Sequence, residues 1–149
     1  MTPPARSYAQ RKQDTLRRLE DDVDAWIATA SLDGTPYLMP LSFLWDGTTL
    51  LLSTAAKNPT ARNLLENPVL QLTIGEIRDL VHITGTAAFV PTEELAEAEG
   101  DAFAAKAGFD PRPLRNYLFI RVTPAKIQAW REVDELKDRV LMENGVWNG

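Results

Sequence analysis

The stretch AWIATASLDGTPYLMPLSFLWDGTTLLLST, residues 25–54, decides the fold. Residues 25–32 alternate apolar and small polar side chains as a strand does. Asp33-Gly34 follows, a turn pair favoured because glycine accepts the positive φ of a tight hairpin. Residues 35–45 return as a second strand, in which Pro36 and Pro40 mark positions without a ladder donor. Asp46-Gly47 is the next turn, and residues 49–54 form the third strand. Three strands joined by two tight turns make an antiparallel meander.

The flanks extend this pattern. Upstream, residues 7–23 read as a helix: Ser7 and Gln10 have capping-box spacing, and Leu16, Leu19 and Val23 recur at helical intervals. Downstream, Asn58-Pro59 reads as an N-cap followed by proline at the first helical position, opening a helix over 59–66. That helix stops near Asn67, because Pro68 disfavours helical geometry in its predecessor. Residues 69–74 and 80–90 read as strands, and 93–107 as a helix closed by Gly108. Residues 116–123 and 125–131 read as closing strands interrupted at Pro124, and Gly145 and Trp147 as a last turn and an apolar anchor. About six strands with three helices predict a mainly β protein with added α: a six-stranded antiparallel barrel with peripheral helices. The expected organisation is one domain over 1–149, with an N-terminal helix to residue 23, a barrel over 24–131 and a tail over 132–149. Trp26 and Trp45 are expected in the core.

Composition excludes several functions. The 149 residues include no cysteine and one histidine, so disulfides, iron–sulfur clusters and thiol nucleophiles are out, and a zinc site is not expected. The formal charge of −5 argues against a nucleic-acid partner. No apolar run is long enough to span a membrane, and the polar, basic stretch from Met1 to Arg18 does not read as a secretory signal, so a cytoplasmic location is expected. Arg11, Lys12, Arg17 and Arg18 precede Glu20, Asp21, Asp22 and Asp24. This reads as a solvated helix with oppositely charged ends, or as a patch for an anion. His82, in the strand-like run Val81-His82-Ile83-Thr84, reads as a strand residue or a site contact. No lysine-bearing phosphate loop and no Gly-x-Gly-x-x-Gly turn is present.

The segment Ser53 to Asn63 carries the chemistry. A strand ends in two hydroxyls (Ser53, Thr54), a loop carries Lys57, and a helix start offers Thr60, Arg62, Asn63 and unpaired amides. Helix N-termini attract anions, and arginine grips phosphate bidentately. The same residues also fit an ordinary surface helix.

The run from Trp26 to Val90 resembles the pyridoxamine 5′-phosphate oxidase-like superfamily of flavin and deazaflavin oxidoreductases. The resemblance rests on residues 28–36, on Pro40-Leu41-Ser42-Phe43-Leu44-Trp45 with Asp46-Gly47, on Ser53 to Asn63 with Asn67-Pro68, and on Gly85-Thr86-Ala87. Ile127 to Glu132 and the pattern Leu141-Met142-x-x-Gly145-x-Trp147 resemble the C-terminal pattern of actinobacterial members. The resemblance implies a split-barrel homodimer with the cofactor at the interface. It implies that phosphate lies against Ser53, Thr54, Lys57, Thr60, Arg62 and Asn63. It implies that the ring faces Pro40, Leu41 and Ser42, with Trp130 stacking nearby from either protomer or serving as core. The cofactor expected is FMN, with deazaflavin F-420 as the alternative; Arg11, Lys12, Arg17 and Arg18 would suit the polyglutamate tail of F-420 if their helix lies beside the groove. The function expected is hydride transfer to a small organic substrate, and the alternative is a non-catalytic flavin or haem carrier. No catalytic residue is assigned. The Arg-x-His pair of true pyridoxamine phosphate oxidases is missing, since no histidine follows His82.

Overall fold

The computed structural model describes residues 4–149. The first three residues of the basic N-terminal stretch lie outside that range. Three antiparallel strands, β1 (Asp24–Ala30), β2 (Pro36–Trp45) and β3 (Leu50–Ala55), form the meander. Helix α1 (Tyr8–Asp21) precedes it and α2 (Pro59–Glu66) follows. Then come β4 (Val69–Glu76), β5 (Asp79–Val90), α3 (Glu97–Ala107) and β6 (Tyr117–Trp130), and a short hairpin, β7 (Val140–Glu143) and β8 (Val146–Trp147). The sheet runs β3-β2-β1-β4-β5-β6, and β6 pairs back onto β3, which closes a six-stranded antiparallel barrel. No helix among the described residues is long and apolar enough to cross a membrane.

Inward-facing residues build one core. Ile27, Phe43, Leu50, Leu52, Leu72, Ile83, Ile120 and Ile127 are all at most 1% exposed. Fully burying such a side chain stabilises the fold by roughly 1.5–3 kcal/mol. The two mouths are plugged by helices. Helix α1 sends Leu19 into the core and Arg11 to the Ala129 carbonyl at the end of β6. Helix α2 sends in Leu64, and Asn63 and Asn67 of its last turn bond to Thr29 and the Ala30 carbonyl at the far end of β1. Outside the barrel, Leu51, Phe103 and Phe119 make a second apolar cluster beneath α3, so β3 is buried on both faces.

Several expectations are corrected. Strand β6 runs unbroken through Pro124, because the register against β5 shifts between Thr84 and Gly85 and Pro124 falls in that irregularity. Gly85 is required there: a Cβ would lie 2.7 Å from the Thr123 carbonyl oxygen. Helix α3 starts at Glu97, after a single 3₁₀ turn over Thr92–Glu94. Only half of the capping box forms: Ser7 Oγ accepts from the Gln10 amide at 3.1 Å, while the Gln10 side chain donates to Asp14 instead. Val23 lies beyond α1 and is exposed. Trp45 is in the core as expected, but Trp26 is 53% exposed on the outer face of β1, where no helix covers it.

A cleft where the barrel splits

The candidate site follows from the two prolines of β2. The Phe43 amide donates to the Val23 carbonyl, towards β1. Alternate residues of a strand turn their backbone groups to the same side, so Pro36, Pro40 and Ser42 turn theirs away from β1. The β1–β2 ladder therefore runs without a gap from Asp24/Ser42 to Ala30/Pro36. The β2–β3 ladder stops at Phe43/Leu52, short of Pro40, which has no N–H to donate. Beyond that pair β2 stays with β1, while β3 continues along β6 through Ser53/Phe119 to Ala55/Tyr117. The strands part, and a cleft of about 350 Å³ opens between them.

Of the residues expected at a cofactor, Pro40, Leu41, Ser42, Ser53 and Thr54 line this one cleft. The Ser53 hydroxyl donates to the Leu118 carbonyl at 3.0 Å, and the Ser42 hydroxyl to Asp24 at 2.7 Å. The other phosphate candidates sit on the adjoining loop and first turns of α2. Lys57 and Arg62 are exposed, and neither is in an ion pair among the described residues. Thr60 is fully buried, and Asn63 donates to Thr29 Oγ1 at 3.1 Å.

Asn58 occupies the N-cap position of α2 but does not cap with its side chain. Its amide donates instead to Thr54 Oγ1 at 3.1 Å, tying the loop to the strand. The hydroxyl of Thr60 and Oδ1 of Asn58 are buried without a hydrogen-bond partner. The opening amides of α2 thus have no side-chain acceptor, beside two unpaired cations and a spare hydroxyl. An anion is the group such a set of donors suits.

Trp130 does not line this cleft. It packs at the other mouth, 5.8 Å from the Arg139 guanidinium and near Ile77 and Val133. The basic residues of α1 also lie away from it. Arg11 is 4% exposed and donates to four main-chain carbonyls, those of Ala129, Glu135, Asp138 and Arg6. Arg17 pairs with Asp14, Arg18 with Asp22 and Asp79, and Lys12 lies over Trp147. Arg11, Arg18 and Lys12 thus fasten α1 to the barrel and the tail, while Arg17, Glu20 and Asp21 stay exposed as a solvated face.

His82 is half-buried on the outer face of β5, in a shallow groove with Trp26, Ala28 and Leu38. Its Nε2 meets Gln71 Oε1, and Gln128 Nε2 approaches its Nδ1. Gln128 cannot turn over, because its Oε1 accepts from Arg139 at 2.9 Å. Burial, with the Lys126 charge second, lowers the imidazole's pKa below the ordinary value.

Reading the sequence missed Asp24, Asn58, Phe103, Phe109 and Tyr117 on the cleft wall. The aromatic three carry no local motif; α3 and the start of β6 bring them to β2 only in the folded chain.

Comparison with known proteins agrees with this architecture. The family model described as pyridoxamine 5′-phosphate oxidase matches residues 13–131. Among solved structures, an F-420 reductase is similar at TM-score 0.62 and 22% identity, covering 74% of this chain and 93% of its own. The haem storage protein HutZ from Vibrio cholerae is similar at TM-score 0.65 and 14% identity, covering 80% and 94%. ChuZ from Campylobacter jejuni is similar at TM-score 0.75 and 11% identity, covering 96% and 66%. At these identities the likeness is one of fold. No curated protein matches the sequence.

Proposed function

Because the chain belongs to the pyridoxamine 5′-phosphate oxidase-like split-barrel family, we propose that it is a flavin- or deazaflavin-dependent oxidoreductase whose cofactor lies in the cleft between β2 and β3. The observation that carries this reading is the pair of exposed cations, Lys57 and Arg62, at the side-chain-uncapped start of α2, next to a cleft that the parting of two barrel strands creates. The exposed Lys57 and Arg62 hold the phosphate at the start of α2, with the buried Thr60 hydroxyl behind them. Ser53 and Thr54 line the path from it. Pro40, Leu41 and Ser42 face the ring, and Asp24 fixes the Ser42 hydroxyl. When bound, the cofactor supplies hydride transfer with a small organic substrate. The chain's own part is to hold, orient and shield, and no acid–base residue is assigned.

FMN is the cofactor proposed. With α1's arginines committed to carbonyls and carboxylates, the groove has no cationic extension from that helix for a polyglutamate tail. Oxidation of pyridoxamine phosphate is not proposed, because no histidine follows His82. The protein is proposed to act as a homodimer in the cytoplasm, with Trp26 and Leu38, 53% and 59% exposed in the groove on the outer sheet face, covered by the second copy.

The test is a titration with FMN and with F-420, followed by turnover with quinone and enone acceptors. Tight FMN binding that falls by tenfold or more in Arg62→Ala, given about 1.5–3 kcal/mol per bond to a charged group, supports the reading. Binding of neither cofactor overturns it. Binding without turnover leaves a carrier.

A further inference from the structure

The cleft has two unlike walls. One, formed by β2 and β3, sets the hydroxyls of Ser42, Ser53 and Thr54 among apolar Met39, Pro40 and Leu41. The other is aromatic, made by Phe103, Phe109 and Tyr117. Phe103 is buried and supports the pair in front of it: its centroid lies 6.3 Å from that of Phe109, and Phe109 lies 6.0 Å from Tyr117, both edge-to-face. Phe109 remains 40% exposed although Phe103 and Tyr117 flank it. A ring left bare in a cleft, braced from behind, is a surface prepared for another flat apolar group.

The residues carrying this wall are not left loose. Arg112 folds the turn after α3 back onto the helix. Its Nε and Nη2 donate to both oxygens of Asp110 at 2.8 and 2.9 Å, and Nη2 also reaches Asp101 at 2.8 Å. The guanidinium lies against the helix at Gly100, where a Cβ would come within 2.6 Å of Nη1. Gly100 is thus the notch that lets the arginine lie flat, and the Arg112–Asp110 fork sets where Phe109, one residue earlier, stands.

We propose that Phe109 and Tyr117 are the ring-selecting wall of the site, and that Arg112 is the positioning residue that fixes it. The ligand they take is a planar conjugated ring, presented edge-on to the β2–β3 split, with its polar edge towards Ser42 and Ser53. This rests on the cofactor reading above and adds the residues that read the ring, distinct from those that hold the phosphate.

The experiment uses FMN and riboflavin, which share the ring and differ in the phosphate. Phe109→Ala weakens both by the same factor, roughly tenfold, and Phe109→Leu, which keeps the apolar bulk, falls between. Arg62→Ala weakens FMN alone. Arg112→Ala lowers the induced circular dichroism of the bound ring, a signal that a purely structural loss of helix packing does not move while FMN stays bound. If Phe109→Ala, or Phe109→Leu should the alanine variant not fold, binds riboflavin like the parent while Arg62→Ala still loses FMN, the wall is refuted and the phosphate site stands. If the unmodified chain binds neither ligand, both fall.

Discussion

Replacing Glu135 by glutamine should remove a distinct share of the fold's acid-sensitive stability. The Glu135 carboxylate is 2% exposed and accepts four N–H groups. Arg6 donates three, from its backbone at 2.8 Å, Nε at 3.0 Å and Nη2 at 2.7 Å; the Arg131 amide gives the fourth at 2.9 Å. These bonds, led by the Arg6 side chain, hold the carboxyl at about 2, down from 4.5. A carboxyl depressed in the native state stabilises it above the unfolded value and loses that contribution as the pH falls. At 1.36 kcal/mol per unit the depression corresponds to about 3 kcal/mol at neutral pH, fading from about pH 5 down to about pH 2. Glu135→Gln keeps the shape and one acceptor oxygen but leaves the Arg6 guanidinium short of charge. We expect a loss of about 2–4 kcal/mol at pH 7, seen as a lower urea midpoint at unchanged slope, and a melting temperature lower by roughly 5–15 °C. The difference between variant and parent should shrink as both are acidified. If the variant loses stability with acid as steeply as the parent over that range, the assignment of the pH dependence to Glu135 is wrong.

Other expectations follow from single sites. Gly85→Ala should destabilise by about 1–3 kcal/mol, since its Cβ meets the Thr123 carbonyl and Val122 at the bulge, and calorimetry will show it. Trp26→Asp should shift the chain from dimer to monomer in light scattering without changing its circular dichroism; a dimer that persists would move the interface elsewhere. His82→Ala should leave FMN affinity intact, because the imidazole is committed to Gln71 and Gln128 away from the cleft, and a lost affinity would place it in the site.

What sequence reading recovers and what it misses divide along the range of the forces involved. The meander and α2 are set by local chemistry: Asp33-Gly34 and Asp46-Gly47 turn the chain, and Pro59 and Pro68 bracket the helix. The continuity of β6 is not local. Pro124 argues for a break until one knows that Gly85 lies across from it in a displaced register. The β7–β8 hairpin turns at Asn144-Gly145, both at positive φ, a signal present in the chain but attached to strands of four and two residues, too short to show a period. Trp26 was expected in the core, but which face of a strand is covered is decided only when the whole sheet is assembled. The β2–β3 wall of the cleft was legible, since it arises from consecutive residues of two strands. The aromatic wall joins three places in the chain and was not.

Barrel closure has a consequence for how the molecule is made. Strand β3 gains its second neighbour only when Leu50 meets Val122, so the last strand of the barrel completes the third. Pairings so far apart in the chain are slow to form, because the loop entropy is lost before the contact is gained. During synthesis the apolar edge of Leu50–Ala55 therefore waits, bare, for most of the remaining chain to emerge. A strand in that state is a template for a neighbouring nascent chain. Yield of folded protein should thus depend on expression rate and temperature more than the stability of the finished barrel would indicate.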